Sequence, residues 1–289
     1  MVRAFGRNQA HHLKGPLSGS GAPECLQGKN FPLYLYRRFL IILLNAMKRP
    51  NIYRLTVAAS FLSMCLTVSC ASTPKEDKLQ KAKAHYQLGV SYLNDNNIQP
   101  AFVEFQKALE LNPDDKETLN AIGVIYLLKL EDYARAIEFL QKALKQDKNY
   151  SEAWNNLGVA YERMGKYNEA IEAYKTALLN TFYRNPEKAF NNLGRVYYRI
   201  RKYDDAIDAY KEAIKRTSDF VLPYYGLALC YNAAGKYGNA AAALRKALEV
   251  DPSYRGDKER AIRDLKERKG VLKAEEEKDM DDLLEIMNY

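Results

Sequence analysis

One pattern is written five times into this chain, and it leaves few folds open. In Ser151–Ala177, SEAWNNLGVAYERMGKYNEAIEAYKTA, large side chains stand at Trp154, Leu157, Tyr161 and Tyr174, and small ones at Gly158, Ala170 and Ala177. Positions 154, 157, 158 and 161 share one helical face; 170, 174 and 177 share a second, after a break at Gly165–Lys166. Two helices approach closely only where small residues oppose large ones, which Gly158 and Ala170 permit. The same slots recur upstream at Leu88, Gly89, Tyr92, Ala101, Phe105 and Ala108, with Pro113 after them, and at Leu119, Ile122, Gly123, Tyr126, Ala136, Leu140 and Ala143. They recur downstream at Phe190, Leu193, Gly194, Tyr197, Ala206, Tyr210 and Ala213, and at Tyr224, Leu227, Ala228, Tyr231, Ala240, Leu244 and Ala247, with Pro252 after them. An extra residue near Leu130 and a longer junction at Leu179–Pro186 interrupt the register.

This pattern resembles the tetratricopeptide repeat (TPR), a helix–turn–helix unit of 34 residues. The resemblance implies an all-α, right-handed TPR superhelix of five repeats over 82–254, divided as 82–115, 116–150, 151–186, 187–220 and 221–254. Residues 255–270, with Ala261, Ile262 and Leu265 on one side, are expected to form a closing helix. The acidic segment 271–289 reads either as a loose helix or as a solvated tail, and its apolar end, with Leu283, Leu284, Ile286 and Met287, is able to dock on a partner.

Charge is distributed unevenly. Of the chain's 44 Lys/Arg and 36 Asp/Glu, residues 1–69 hold nine basic and one acidic, Glu24, leaving 35 of each sign for 70–289. The repeats are neutral overall, which removes the simple electrostatic case for nucleic acid. The basic start Met47-Lys48-Arg49 is followed by the uncharged run Leu55–Ser69 and then Cys70, the order of a secretory leader. That run falls short of the ~20 residues that span a bilayer. Leu66-Thr67-Val68-Ser69-Cys70 resembles a bacterial lipobox, with Thr67 where Leu is commonest. It implies cleavage at 69, lipidation of Cys70 and, since Ala71 is not Asp, sorting to the outer membrane. Residues 1–46 are expected to be an upstream extension, with Met47 as the start of the leader, and 70–81 a polar tether.

Chemistry-bearing residues are sparse beyond the leader. His85 occupies a packing slot, and Cys230 a small-residue slot where a buried role is expected. No HExxH, phosphate-binding glycine loop, nucleophile elbow or paired Cys ligands occur. The expectation is a non-enzyme without cofactor, metal or small-molecule substrate.

What such a stack offers is an inner curve lined by the first helix of each pair. The slots that face inward in the family fall on Tyr86, Val90 and Leu93, then Asn120, Val124 and Leu127, then Asn155, Val159 and Glu162. They continue through Asn191, Arg195, Tyr198 and Arg199 to Tyr225, Leu229 and Asn232. Amides at 120, 155 and 191 suit an extended peptide backbone, since each donates and accepts. Arg195 and Arg199 with Tyr198 suit a carboxylate or acidic turn. Phe182 and Tyr183 in the long junction read either as a local plug or as a protruding contact.

With the lipobox and the junction LNTFYRNPEKAFNNLG at 179–194, the chain resembles the TPR lipoproteins of type IV pilus biogenesis, the pilotin class. The resemblance implies a partner among pilus assembly components, in particular the outer-membrane secretin, and attachment at the periplasmic face by lipid. Five repeats where that family typically has six, and the added acidic segment, depart from it. The alternatives are an envelope adaptor recruiting cell-wall enzymes or assisting outer-membrane protein assembly, and a cytosolic scaffold if Cys70 is never processed.

Overall fold

A computed structural model describes residues 74–268 and 274–289. The leader, Cys70 and residues 1–46 lie outside the described residues. Among the described residues the chain is entirely helical, with five helix pairs followed by two further helices. The pairs are α1 (Pro74–Asn94) with α2 (Ile98–Leu111), α3 (Lys116–Leu128) with α4 (Tyr133–Gln146), and α5 (Ser151–Arg163) with α6 (Tyr167–Leu179). They continue with α7 (Pro186–Arg199) and α8 (Tyr203–Arg216), then α9 (Leu222–Ala233) and α10 (Tyr237–Val250). Two helices follow, α11 (Lys258–Arg268) and α12 (Ala274–Ile286). The two helices of each pair pack on one another, and α2, α4, α6 and α8 each pack on the pair that follows, which is the TPR superhelix.

The small-against-large rule explains the pairing. A Cβ added at Gly89 would stand 2.6 Å from the Phe105 ring, one at Gly158 2.5 Å from Tyr174, and one at Gly194 2.8 Å from Tyr210. In the first four pairs the second helix thus rests on bare backbone of the first. Tyr210 is held from both sides, because Gly226 of the following pair also meets its ring. In the last pair Ala228 takes the glycine slot and Leu244 the ring's, both buried in one cluster.

The turn inside each pair is also repeated. The amide of Lys166 donates to the Tyr161 carbonyl at 2.9 Å, Lys202 to Tyr197 at 2.9 Å, Lys236 to Tyr231 at 2.8 Å and Asn97 to Tyr92 at 2.8 Å, the six-to-one bond of a Schellman ending. In the second pair the extra residue stretches the bond by one position, Asp132 to Tyr126 at 2.9 Å. Each turn needs one left-handed residue, supplied by Gly165 and Gly235 but by Asn96, Glu131 and Arg201 in the other three.

Three expectations require correction. The segment read as a tether is helical from Pro74, because Pro opens a helix readily and Glu76 and Asp77 fall in its first turn. Leu88, placed among the packing slots, is exposed at the edge of the first pair. The acidic segment is not a solvated tail: α12 buries Met280, Leu283, Ile286 and Met287 against the last repeat. The closing helix forms as expected, with Ala261 and Leu265 buried.

Gly158→Ala is expected to lower stability by about 1–3 kcal/mol, since the ring of Tyr174 must move off its seat. Glu131→Gly is expected to raise it by up to about 1 kcal/mol by relieving a left-handed non-glycine residue. Urea unfolding midpoints of the two variants check both signs.

Candidate functional site

The inner curve divides into two parts of different character. In the first three repeats it is apolar and half-open. Tyr86, Val90 and Leu93 are half-buried against the cluster of Phe105, Ile122 and Leu127. The Tyr86 and Phe105 rings lie tilted with centroids 5.8 Å apart. Val124 is partly exposed, and Val159 bridges to the cluster around Tyr174.

The amides at the ladder positions meet neighbours within the chain. Asn156 donates to the Asn120 Oδ1 at 2.9 Å, and Asn192 donates to the Asn155 Oδ1 at 3.0 Å. Residues one position beyond the ladder therefore staple the third repeat to the second and the fourth to the third. Asn155 and Asn191 are both buried. A carbonyl oxygen with two lone pairs retains accepting capacity after one such bond.

Farther along, the cations meet acids of this same chain. Arg195 forms a bidentate pair with Glu162 of the preceding repeat, Nε to Oε1 at 2.6 Å and Nη2 to Oε2 at 2.7 Å. The Tyr174 hydroxyl donates to the same carboxylate at 2.8 Å. Burial alone would raise the Glu162 pKa, but the Arg195 charge and hydrogen bonds, with that of Tyr174, outweigh it and hold the carboxyl below its ordinary value. Arg199 and Tyr198 meet α12: Nη2 of Arg199 donates to Asp279 Oδ2 at 2.9 Å, and the Tyr198 hydroxyl to Oδ1 at 3.1 Å. The carboxylate expected from a partner is here Asp279 of the chain itself. Tyr225 and Leu229 share one cluster with the apolar face of α12, and the Tyr289 hydroxyl donates to Asn232 Oδ1 at 2.9 Å.

The remaining candidates resolve simply. His85 Nδ1 lies 2.6 Å from Glu104, which Lys107 also binds at 2.7 Å; chiefly through the Lys107 hydrogen bond, the Glu104 carboxyl is held below its ordinary range. Cys230 is fully buried beside Ile207, Tyr210 and Leu227, and burial pushes its thiol well above the ordinary value. The long junction splits the two readings between its aromatics. Tyr183, 8% exposed, plugs the gap between Ala177 and Ala189, while Phe182 is 90% exposed. Among the described residues no helix is long and apolar enough to cross a membrane, and no group of His, Cys, Asp and Glu has the arrangement to hold a metal ion.

Comparison with known proteins agrees with this architecture. Sequence profiles described as tetratricopeptide repeats match residues 82–115, 104–138, 127–165, 149–218 and 191–258 in an overlapping run. The chain is therefore built of tetratricopeptide repeats from 82 to 258. Among similar proteins are the photosystem I assembly protein Ycf3 of Synechococcus sp. strain CC9605, 31% identical over 117 residues (39% of this chain and 63% of that protein). Another is the type IV pilus assembly protein PilF of Pseudomonas aeruginosa strain PAO1, 30% identical over 124 residues (42% of this chain and 49% of that protein). The match thus spans less than two thirds of the length of the first relative and about half of the second. A solved structure of Pseudomonas aeruginosa PilF superposes with a TM-score of 0.58 over 71% of this chain and 88% of that one, at 22% identity, a likeness of fold.

The Glu162–Arg195 pair carries two predictions. Arg195→Met alone is expected to cost about 3 kcal/mol, because it leaves a desolvated carboxylate unpaired, while Glu162→Met with Arg195→Met is expected to be nearly neutral. Since the Glu162 pKa is depressed from 4.5, the pair stabilises fully above about pH 4.5 and its contribution is lost as pH falls through the depressed value. Chemical denaturation from pH 7 to pH 3, compared between wild type and the double variant, reads that loss directly.

Proposed function

We propose that this chain is a non-enzymatic, lipid-anchored binding protein that serves type IV pilus biogenesis by holding a segment of the outer-membrane secretin. The observation that carries the reading is the similarity to PilF, a type IV pilus assembly protein, over 124 residues. The leader ending at Ser69-Cys70 supports an anchor on Cys70, hence a place at the periplasmic face of the outer membrane. Holding needs no bond to change: half-buried aliphatic side chains and amides are what a bound polypeptide requires. The half-open part at Tyr86, Val90, Asn120, Val124 and Val159, with the buried Asn155 beneath it, is where the first contact falls.

A second reading has its own support. The similarity to Ycf3, a photosystem I assembly protein, favours assistance to a different membrane complex, including outer-membrane protein assembly, by the same holding action.

In the native host, palmitate labelling is expected for wild type and absent for Cys70→Ala, with the variant lost from the outer-membrane fraction. Deletion of the gene is expected to reduce secretin multimers on a non-denaturing gel. Unchanged abundance and location of those multimers contradicts the pilus reading.

A further inference from the structure

The part of the inner curve formed by repeats four and five already holds a helix. On α12, Met280, Leu283, Ile286 and Met287 fall on one face, and all four are at most 6% exposed. They enter one cluster with Tyr225, Ala228 and Leu229 of α9 and Leu244 and Leu248 of α10. Asp279, at the start of that face, sits between Arg199 and the Tyr198 hydroxyl of α7. At the far end Tyr289 bonds Asn232 and packs edge-on against Tyr237, centroids 5.1 Å apart. The opposite face carries Asp281, Glu285 and Lys278, all exposed.

This is the geometry of an amphipathic helix lying in a groove, read by one acidic contact and apolar anchors three, six and seven positions apart. The surface it covers is the one the inward-facing slots of the repeats define. We propose that α12 is a built-in occupant of this surface. It screens the C-terminal part of the groove until a partner helix of the same chemistry displaces it, an aspartate followed by aliphatic or methionine residues on one face.

The setting of Asp279, buried between Arg199 and the Tyr198 hydroxyl, favours displacement over permanent closure. Burial outweighs Arg199 and pushes the Asp279 carboxyl above its ordinary value, so the ion pair does not fully offset desolvation. The acidic contact selects the occupant, and the apolar face supplies the affinity. Being part of the same chain, α12 competes at an effective concentration on the order of mM, so an outside helix enters only by binding more tightly or when α12 is loosened. The proposal rests on the groove being a binding surface and not on the identity of the pilus partner. Pilus readouts and peptide readouts therefore fail separately.

The test uses a fluorescein-labelled synthetic peptide of residues 274–289 and the whole chain. Leu283→Glu with Ile286→Glu in the chain is expected to loosen α12 and to bind the peptide at least ten-fold more tightly than wild type. Circular dichroism confirms that the repeats remain folded. Equal binding by wild type and variant overturns the proposal. So does an unfolded variant, which would make α12 a structural strut. Charge exchange gives an independent arm: the Arg199→Glu chain is expected to prefer a peptide carrying Asp279→Lys over the unmodified peptide, and no preference contradicts the assigned contact. Exclusion of peptide from wild type that weakens on dilution of the chain would place α12 in a second copy and overturn the screening within one chain.

Discussion

A ring set against a missing Cβ is the contact on which the rest of this structure depends. Phe105 on Gly89, Tyr174 on Gly158 and Tyr210 on Gly194 let paired helices approach to backbone contact. Tyr210 goes further, since Gly226 of the next pair closes on its other side, so one residue fixes both the pair and the stacking of pairs. No pair buries its apolar face alone, and stability of the stack is therefore shared between neighbours. The repeated bond to the Tyr92, Tyr161, Tyr197 and Tyr231 carbonyls sets the angle at which each second helix returns.

From that regularity the first helices of the pairs present their side chains along one inner curve, and the curve is not uniform. Its N-terminal part remains half-open around Tyr86, Val90 and Val159. Its C-terminal part is neutralised and covered from within the chain, Arg195 by Glu162 and Arg199 by Asp279. A surface rich in cations by sequence is thus largely balanced in the fold. What it offers a partner is shape and apolar contact more than attraction to acids at long range.

The repeats were legible in the sequence because every slot demands a residue of given size, and five copies of the demand were present. The turn was legible at Gly165, where glycine supplies the left-handed residue, and silent at Asn96, Glu131 and Arg201. The resemblance to the repeat family placed Asn155 and Arg195 on the inner face but could not assign their partners: Asn192 and Glu162 come from neighbouring repeats, and a slot does not specify a rotamer. The start of α1 at Pro74 escaped notice because its first turns are polar and exposed, leaving hydrophobic periodicity nothing to register. In α12 the apolar end at Leu283, Ile286 and Met287 was legible, while the seven acids of its segment masked Met280 as the start of the same face. The spacing of these four was the available signal, with Asp279 as its acidic contact.

The central claim is a stack of repeats whose inner curve is half-occupied by a helix of its own. Hydrogen exchange of the whole chain, read peptide by peptide, tests it most directly. The amides of 280–286 are expected to be protected, yet to exchange well before those of α5 to α10, through local opening rather than global unfolding. Exchange at 280–286 as fast as in an isolated peptide, or as slow as in the core of the repeats, contradicts the account.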